Sequence, residues 1–334
     1  MKKQTFLNMC FSALMFASFS VAAADELMVY SSKNASYLKP MLDQYSRETG
    51  TAVGYVIAPA PMLVSRLVLE GAETKADVLL ASGVGNFANT TAKRLLAPLV
   101  SRTLERNVPE HLRAKDDTWF AFSKRARTLI YHTDRVKESD LDGYAGLADA
   151  KWRGRVCLRT SQAEYTRTLI STLVAKWGEQ RTTEVIKGWV ANLALPPLAD
   201  DDQIIAAIRE GQCDVGMVNS YYYARLKRED PQTPLKLFWA DQDTDGVHMN
   251  ITAVGVTAHA KNRAQALDFV EWLTTKEAQV QYAKISMEYP VHPKVYPPRE
   301  IAKWGRFKED KTSLDHALRL SGTAQQILTN VGYQ

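Results

Sequence analysis

The sequence predicts an α/β protein built as two lobes with a cleft between them. Three observations carry this. Short apolar runs alternate with helical repeats, the pattern of a sheet covered on both faces. Two apolar runs, residues 121–131 and 250–257, read as strands that cross between lobes, and over a hundred residues separate them. The chain has 334 residues, enough for two domains of ordinary size.

Residues 26–31 read as the first strand. Residues 38–49 follow as a helix, with Leu38, Met41, Leu42 and Tyr45 at helical spacing and Gly50 as its stop. A strand at 52–57, a helix at 62–70 before Gly71, a buried strand at 77–81 and a helix at 87–95 continue the alternation. After the first crossing, helices are predicted over 165–177, 182–191 and 202–210. Residues 214–218 form a strand that leads through Asn219-Ser220 into another helix. Beyond the second crossing come helices over 262–275 and 276–284, a proline-rich irregular stretch at 290–298 and an amphipathic helical segment at 313–329. No internal repeat is present, which excludes a solenoid. The implied division is an N-terminal lobe from 25–124, a C-terminal lobe from 125–249, a return to the N-terminal lobe over 250–305, and C-terminal helices at 306–334 packing on the C-terminal lobe. A ligand is expected in the cleft, where loops at the carboxyl ends of strands converge.

The N-terminus sets the compartment. Lys2 and Lys3 precede a mostly apolar, uncharged stretch at 6–21, and Ala22-Ala23-Ala24 supplies small residues for cleavage. That order predicts a signal peptide over residues 1–24, cleaved near Ala24, and export to the periplasm. Cys10 lacks the small residues that a lipidation signal places before its cysteine. No later stretch is long and apolar enough to cross a membrane. Loss of both lysines takes the formal charge from +5 to about +3, and no basic run interleaved with aromatics argues for nucleic acid. Cys157 and Cys213 each stand at a strand start, and an oxidising compartment favours a disulfide between them.

The stretch Asn219-Ser220-Tyr221-Tyr222-Tyr223-Ala224-Arg225-Leu226 carries the most chemistry. Asn219 or Ser220 suits an N-cap, which puts the tyrosines at a helix mouth just after a strand. Adjacent residues diverge by about 100° inside a helix, so two neighbouring phenols converge only at such a terminus. Phenolates are hard anionic donors suited to a trivalent cation. The same triplet also reads as an aromatic stripe for packing or for stacking on an organic ligand. Thr160 and Ser161 sit where a helix should begin, and free amides with the helix dipole favour an anion there. Arg125 and Arg127 alternate on the first crossing strand and could clamp that anion with two parallel hydrogen bonds, or stand solvated. Gly83-Val84-Gly85-Asn86-Phe87-Ala88 has the form of a dinucleotide fingerprint, but lacks the acidic partner after a next strand. Asp200-Asp201-Asp202 reads as a helix cap rather than a calcium loop. No nucleophile–base constellation, zinc-hydrolase motif or phosphate loop is present, so the chain is not expected to be an enzyme.

The tyrosine motif and its surroundings resemble the ferric-ion-binding subgroup of type II periplasmic binding proteins, the soluble components of iron ABC importers. Matching stretches include Val29-Tyr30-Ser31-Ser32, Arg125-Ala126-Arg127 before Leu129-Ile130-Tyr131, Gly211-Gln212-Cys213-Asp214-Val215 and His248-Met249-Asn250-Ile251. The resemblance covers essentially the whole mature chain and implies Fe(III) as transported ligand, with Tyr221 and Tyr222 as adjacent ligands. It matches Tyr165 to a third tyrosine ligand, whose alternative is an ordinary first-turn aromatic. It also implies a synergistic anion such as carbonate near Thr160 and Ser161, an inner-membrane permease as partner, and a monomer. One departure stands out. Where that subgroup carries a histidine after the first strand, this chain has Lys33-Asn34-Ala35, leaving Asn34 and Tyr37 as additional candidates and Lys33 as a further attraction for anions. The rival expectation is the same fold holding a small organic anion, a phosphonate or a phosphorylated sugar.

Overall fold

The structure is a computed structural model and describes residues 26–334. The expected signal peptide, with its cleavage near Ala24 and the reading of Cys10, lies outside the described residues. Ten strands form the framework: β1 (Leu27–Ser31), β2 (Val53–Ile57), β3 (Val78–Ser82), β4 (Leu96–Ala97), β5 (Phe120–His132), β6 (Val156–Cys157), β7 (Val215–Asn219), β8 (Leu235–Phe238), β9 (Met249–Thr257) and β10 (Tyr289–Pro290). Their order is β2-β1-β3-β9-β5-β7-β6, with β4 added to β9, and β8 and β10 added to β5. β1 runs parallel to β2 and β3, while β9 turns antiparallel between β3 and β5.

The two predicted crossing strands are β5 and β9. Residues 120–126 of β5 run along β9, and residues 127–131 run along β7, so one strand serves both lobes. β9 is buried along its whole length, and in β5 only Lys124 is partly exposed. Strands covered on both faces read as near-continuous apolar runs, which is why both were legible. A first core gathers around Val29, Leu79, Phe87, Phe120, Val254 and Phe269. A second gathers around Leu129, Tyr144, Trp152, Leu169, Trp189 and Met217. On the other side of the second sheet, Ile204, Ile208, Val218 and Leu226 pack with Cys157 and Cys213. Those cysteines are bridged, with Sγ–Sγ 2.04 Å and Cα–Cα 6.0 Å, because parallel β6 and β7 hold their starts side by side. The molecule is thus a two-lobed α/β fold, each lobe a sheet flanked by helices and joined by shared strands.

Near the C-terminus the chain does not follow the expected boundary at 305/306. Met287, Tyr289 and Ile301 already pack into the second core, whereas Leu314 and Leu318 return to the first. The last helix, Ser321–Asn330, rejoins the second core through Ala324, Ile327 and Leu328. Amphipathic pattern alone marks a buried face without naming the core that buries it.

The predicted helices at 165–177 and 182–191 are two arms of one kinked element, Glu164–Ala191, broken at Gly178 (φ 78°, ψ 171°). Glycine adopts that angle without the steric cost a Cβ would bring. The element starts later than Thr160 and Ser161 suggested, with Ala163 at the N-cap and no side-chain cap.

Candidate functional site

Helix Ser220–Glu229 follows β7 without a loop, so Tyr221 and Tyr222 occupy its first turn. Their rings stack, with centroids 4.5 Å apart and planes at 28°. Asn219 holds the N-cap position but makes no side-chain cap; its Oδ1 instead accepts from Asn250 Nδ2 at 3.0 Å, tying β7 to β9. Tyr223 is buried and packs edge-on against Trp304, with ring centroids 5.2 Å apart, behind the pair. Tyr165, second residue of the kinked helix, joins the pair through Arg125, whose guanidinium lies 5.0 Å from the Tyr165 ring centroid.

Arg125 is 1% exposed. Its Nη1 donates to Thr252 Oγ1 at 2.9 Å and lies 3.8 Å from Glu288, while its Nε and Nη2 have no partner among the described residues. Burial works against that charge, but Tyr165, Glu288, Tyr221 and Glu164 together outweigh it and raise the pKa. Burial pushes the Tyr221 phenol well above its ordinary value, with Tyr165 and Tyr222 adding to the shift and Arg125 opposing it. Burial also raises Tyr222. Without a bound cation both phenols therefore keep their protons at neutral pH.

Two further guanidiniums flank the tyrosines. Arg159 lies 5.5 Å from the Tyr165 ring centroid, with Nε donating to Ala199 O at 3.1 Å and Nη1 buried without a hydrogen bond among the described residues. Arg225 lies 4.3 Å and 5.3 Å from the Tyr222 and Tyr221 centroids, and its Nε is likewise buried and unpaired among the described residues. Neither was singled out from sequence. For Arg225 a signal was available, since its spacing from Tyr221 and Tyr222 puts it on their helix face.

Other expectations are redirected. Arg127 does not join Arg125, because β5 changes partner between them: Arg125 faces Asn250 of β9, and Arg127 faces Asn219 of β7. Its Nη1 pairs with both oxygens of buried Asp201, at 2.8 and 2.7 Å, and Asp201 also accepts from Asn219 N at 2.9 Å. The amides of Thr160 and Ser161 are taken by Leu198 O and Gln334 O, each at 2.8 Å, so they form no open anion cradle. Asn34 caps helix Ala35–Thr49 by accepting from Ser36 N at 2.9 Å and is exposed. Lys33 is tied to Glu288 at 2.7 Å, which spends its charge internally. Tyr37 alone of the first-lobe candidates stays in play: it is half-buried, with Lys33 Nζ 5.8 Å from its ring centroid. Among the described residues no group of three or more His, Cys, Asp or Glu could hold a metal ion.

Residues 40–309 match the family described as bacterial extracellular solute-binding protein. This chain belongs to that family. Among its relatives is iron uptake protein A1 of Synechocystis sp., 36% identical over 92% of this chain and 88% of that protein. A Trichodesmium structure described as IdiA (FutA) in complex with iron and citrate ligands superposes with a TM-score of 0.89, at 33% identity, covering 92% of this chain and all of that one. The Mannheimia haemolytica ferric iron-binding protein A in an open conformation gives 0.86 at 30% identity, covering 93% of this chain and 99% of that one. For this family member the likeness spans both lobes.

Proposed function

We propose that this chain captures Fe(III) as cargo in the periplasm and delivers it to an inner-membrane ABC permease. The phenolate oxygens of Tyr221, Tyr222 and Tyr165 hold the ion, with Tyr37 as an additional donor from the first lobe. A synergistic anion, carbonate or similar, pairs with Arg125. The observation that carries this reading is a buried guanidinium that keeps two nitrogens unpaired against the Tyr165 ring and interacts with Tyr221, on which Tyr222 stacks. A trivalent cation would draw the protons off the buried phenols, and a planar anion would take the unpaired Arg125 donors in parallel hydrogen bonds. The iron names of the relatives support this cargo over an organic anion. Lobes divided at β5 and β9 would close over the ion, and the carrier would work as a monomer without catalysis.

The test is optical and thermodynamic. Iron-loaded protein should be coloured by phenolate-to-iron charge transfer. Tyr221→Phe and Tyr222→Phe should each weaken binding by more than the ~10–100-fold that losing a supporting residue costs a metal site. A colourless loaded protein, with both variants binding as wild type, would overturn the proposal. Calorimetric binding of a phosphonate or phosphorylated sugar in place of iron would support the rival cargo.

A further inference from the structure

The Gly83-Val84-Gly85 turn receives a carboxylate from the other lobe. Glu164 opens the kinked helix whose Leu169, Ile170 and Leu173 lie in the second core. Its Oε1 accepts from Gly85 N at 2.8 Å, and Gly85 opens helix Gly85–Ala92, whose Phe87 lies in the first core. The first amides of a helix lack internal partners, and its dipole favours negative charge there. Thr168 Oγ1, one turn along, donates to the same oxygen at 2.5 Å and fixes the carboxylate's direction.

The fit depends on both glycines. A Cβ on Gly83 would lie 1.9 Å from Glu164 Oε2, and one on Gly85 would lie 2.9 Å from Oε1. Gly83 also has φ +85°, a conformation that favours glycine. The turn is a socket shaped for this side chain, and Glu164 is the residue immediately before Tyr165.

We propose that Glu164 and the Gly83-Val84-Gly85 socket form a clasp between the lobes that holds the closed form and sets the helix turn carrying Tyr165. Its positioning role rests on the iron-binding reading above; its role in closure does not. The experiment uses the full mature chain as wild type, Glu164→Ala, Glu164→Gln and Gly83→Ala. Radius of gyration by small-angle scattering and iron release to a competing chelator are measured on each. Glu164→Ala should leave the protein more open in the iron-free state and speed iron release about tenfold or more, the loss expected for a hydrogen bond to a charged group. Glu164→Gln keeps an acceptor for Gly85 and should fall between. Gly83→Ala disturbs the socket without touching the tyrosine helix and should open the lobes in the same way. The charge-transfer band at saturation should persist in all three, since no ligand is removed, and should shift in Glu164→Ala, where the turn carrying Tyr165 loses its anchor; an unmoved band there would overturn the positioning role. Equal radii and equal release rates in wild type and Glu164→Ala would overturn the clasp. Failure of wild type to bind iron would overturn the cargo instead, and the iron-free radii would still decide the clasp.

Discussion

A buried guanidinium with two unpaired nitrogens holds hydrogen-bond donors that the ligand-free protein leaves unused, even where neighbouring groups favour its charge. Arg125 stands in that condition, whereas Arg127 Nη1, two residues on, donates to both oxygens of Asp201. The two arginines should therefore respond oppositely. Arg125→Gln should weaken iron binding and remove its dependence on added carbonate, while leaving the urea midpoint of the ligand-free protein unchanged or higher. Arg127→Gln should lower the unfolding free energy by roughly 3–5 kcal/mol, because it takes from buried Asp201 its nearest cation. Tyr221 and Tyr222 supply a second prediction at this scale. Burial raises both phenols, so iron must displace their protons. Apparent affinity should fall as pH falls, by up to about tenfold per pH unit for each phenol displaced. A chelator-competition series across pH checks the slope.

At the level of elements, the bridge between Cys157 and Cys213 staples β6 to the segment entering β7, which leads directly into the tyrosine helix. It spans a sequence separation of 56, and closing a loop of that length in the unfolded chain is worth about 4 kcal/mol in the chain-entropy account. Replacing both cysteines by serine should lower the stability read by urea denaturation by an amount of that order. Iron binding should weaken less, since neither cysteine is a donor of the proposed site. The bridge was foreseen because both cysteines stand at strand starts. The loss of an anion cradle at Thr160 and Ser161 is not legible in the same way, because both look like caps until Leu198 and Gln334, far along the chain, take their amides.

Across the whole molecule, β5 and β9 make the seam between two cores, and His248 sits on it. His248 is 1% exposed, its carbonyl accepts from Arg127 N at 2.9 Å and its Nε2 lies 3.2 Å from Asn250 Oδ1. Burial lowers its pKa to about 4, with Asp310 opposing. The unfolded chain binds that proton near 6.5, so the contribution to stability is complete above about pH 6.5 and is lost as pH falls through 4. Denaturation midpoints measured from pH 7 to pH 4 should decline, and His248→Gln should flatten the decline.

Local pattern by itself determined the α/β class, the two crossing strands and the tyrosine triplet. Each rests on short-range physics: strand and helix periodicity, near-continuous apolar runs in doubly covered strands, and the rarity of adjacent phenols at a helix mouth. Only the tertiary structure separated Arg125 from Arg127, since their roles depend on β5 changing partner between them. Only it brought Arg159 to the tyrosines, gave the amides of Thr160 and Ser161 to Leu198 and Gln334, and joined Glu164 to Gly85 across 79 positions of sequence. A side chain's chemistry is readable from the chain, but which partner satisfies its hydrogen bonds and charge is decided when the two cores close against one another.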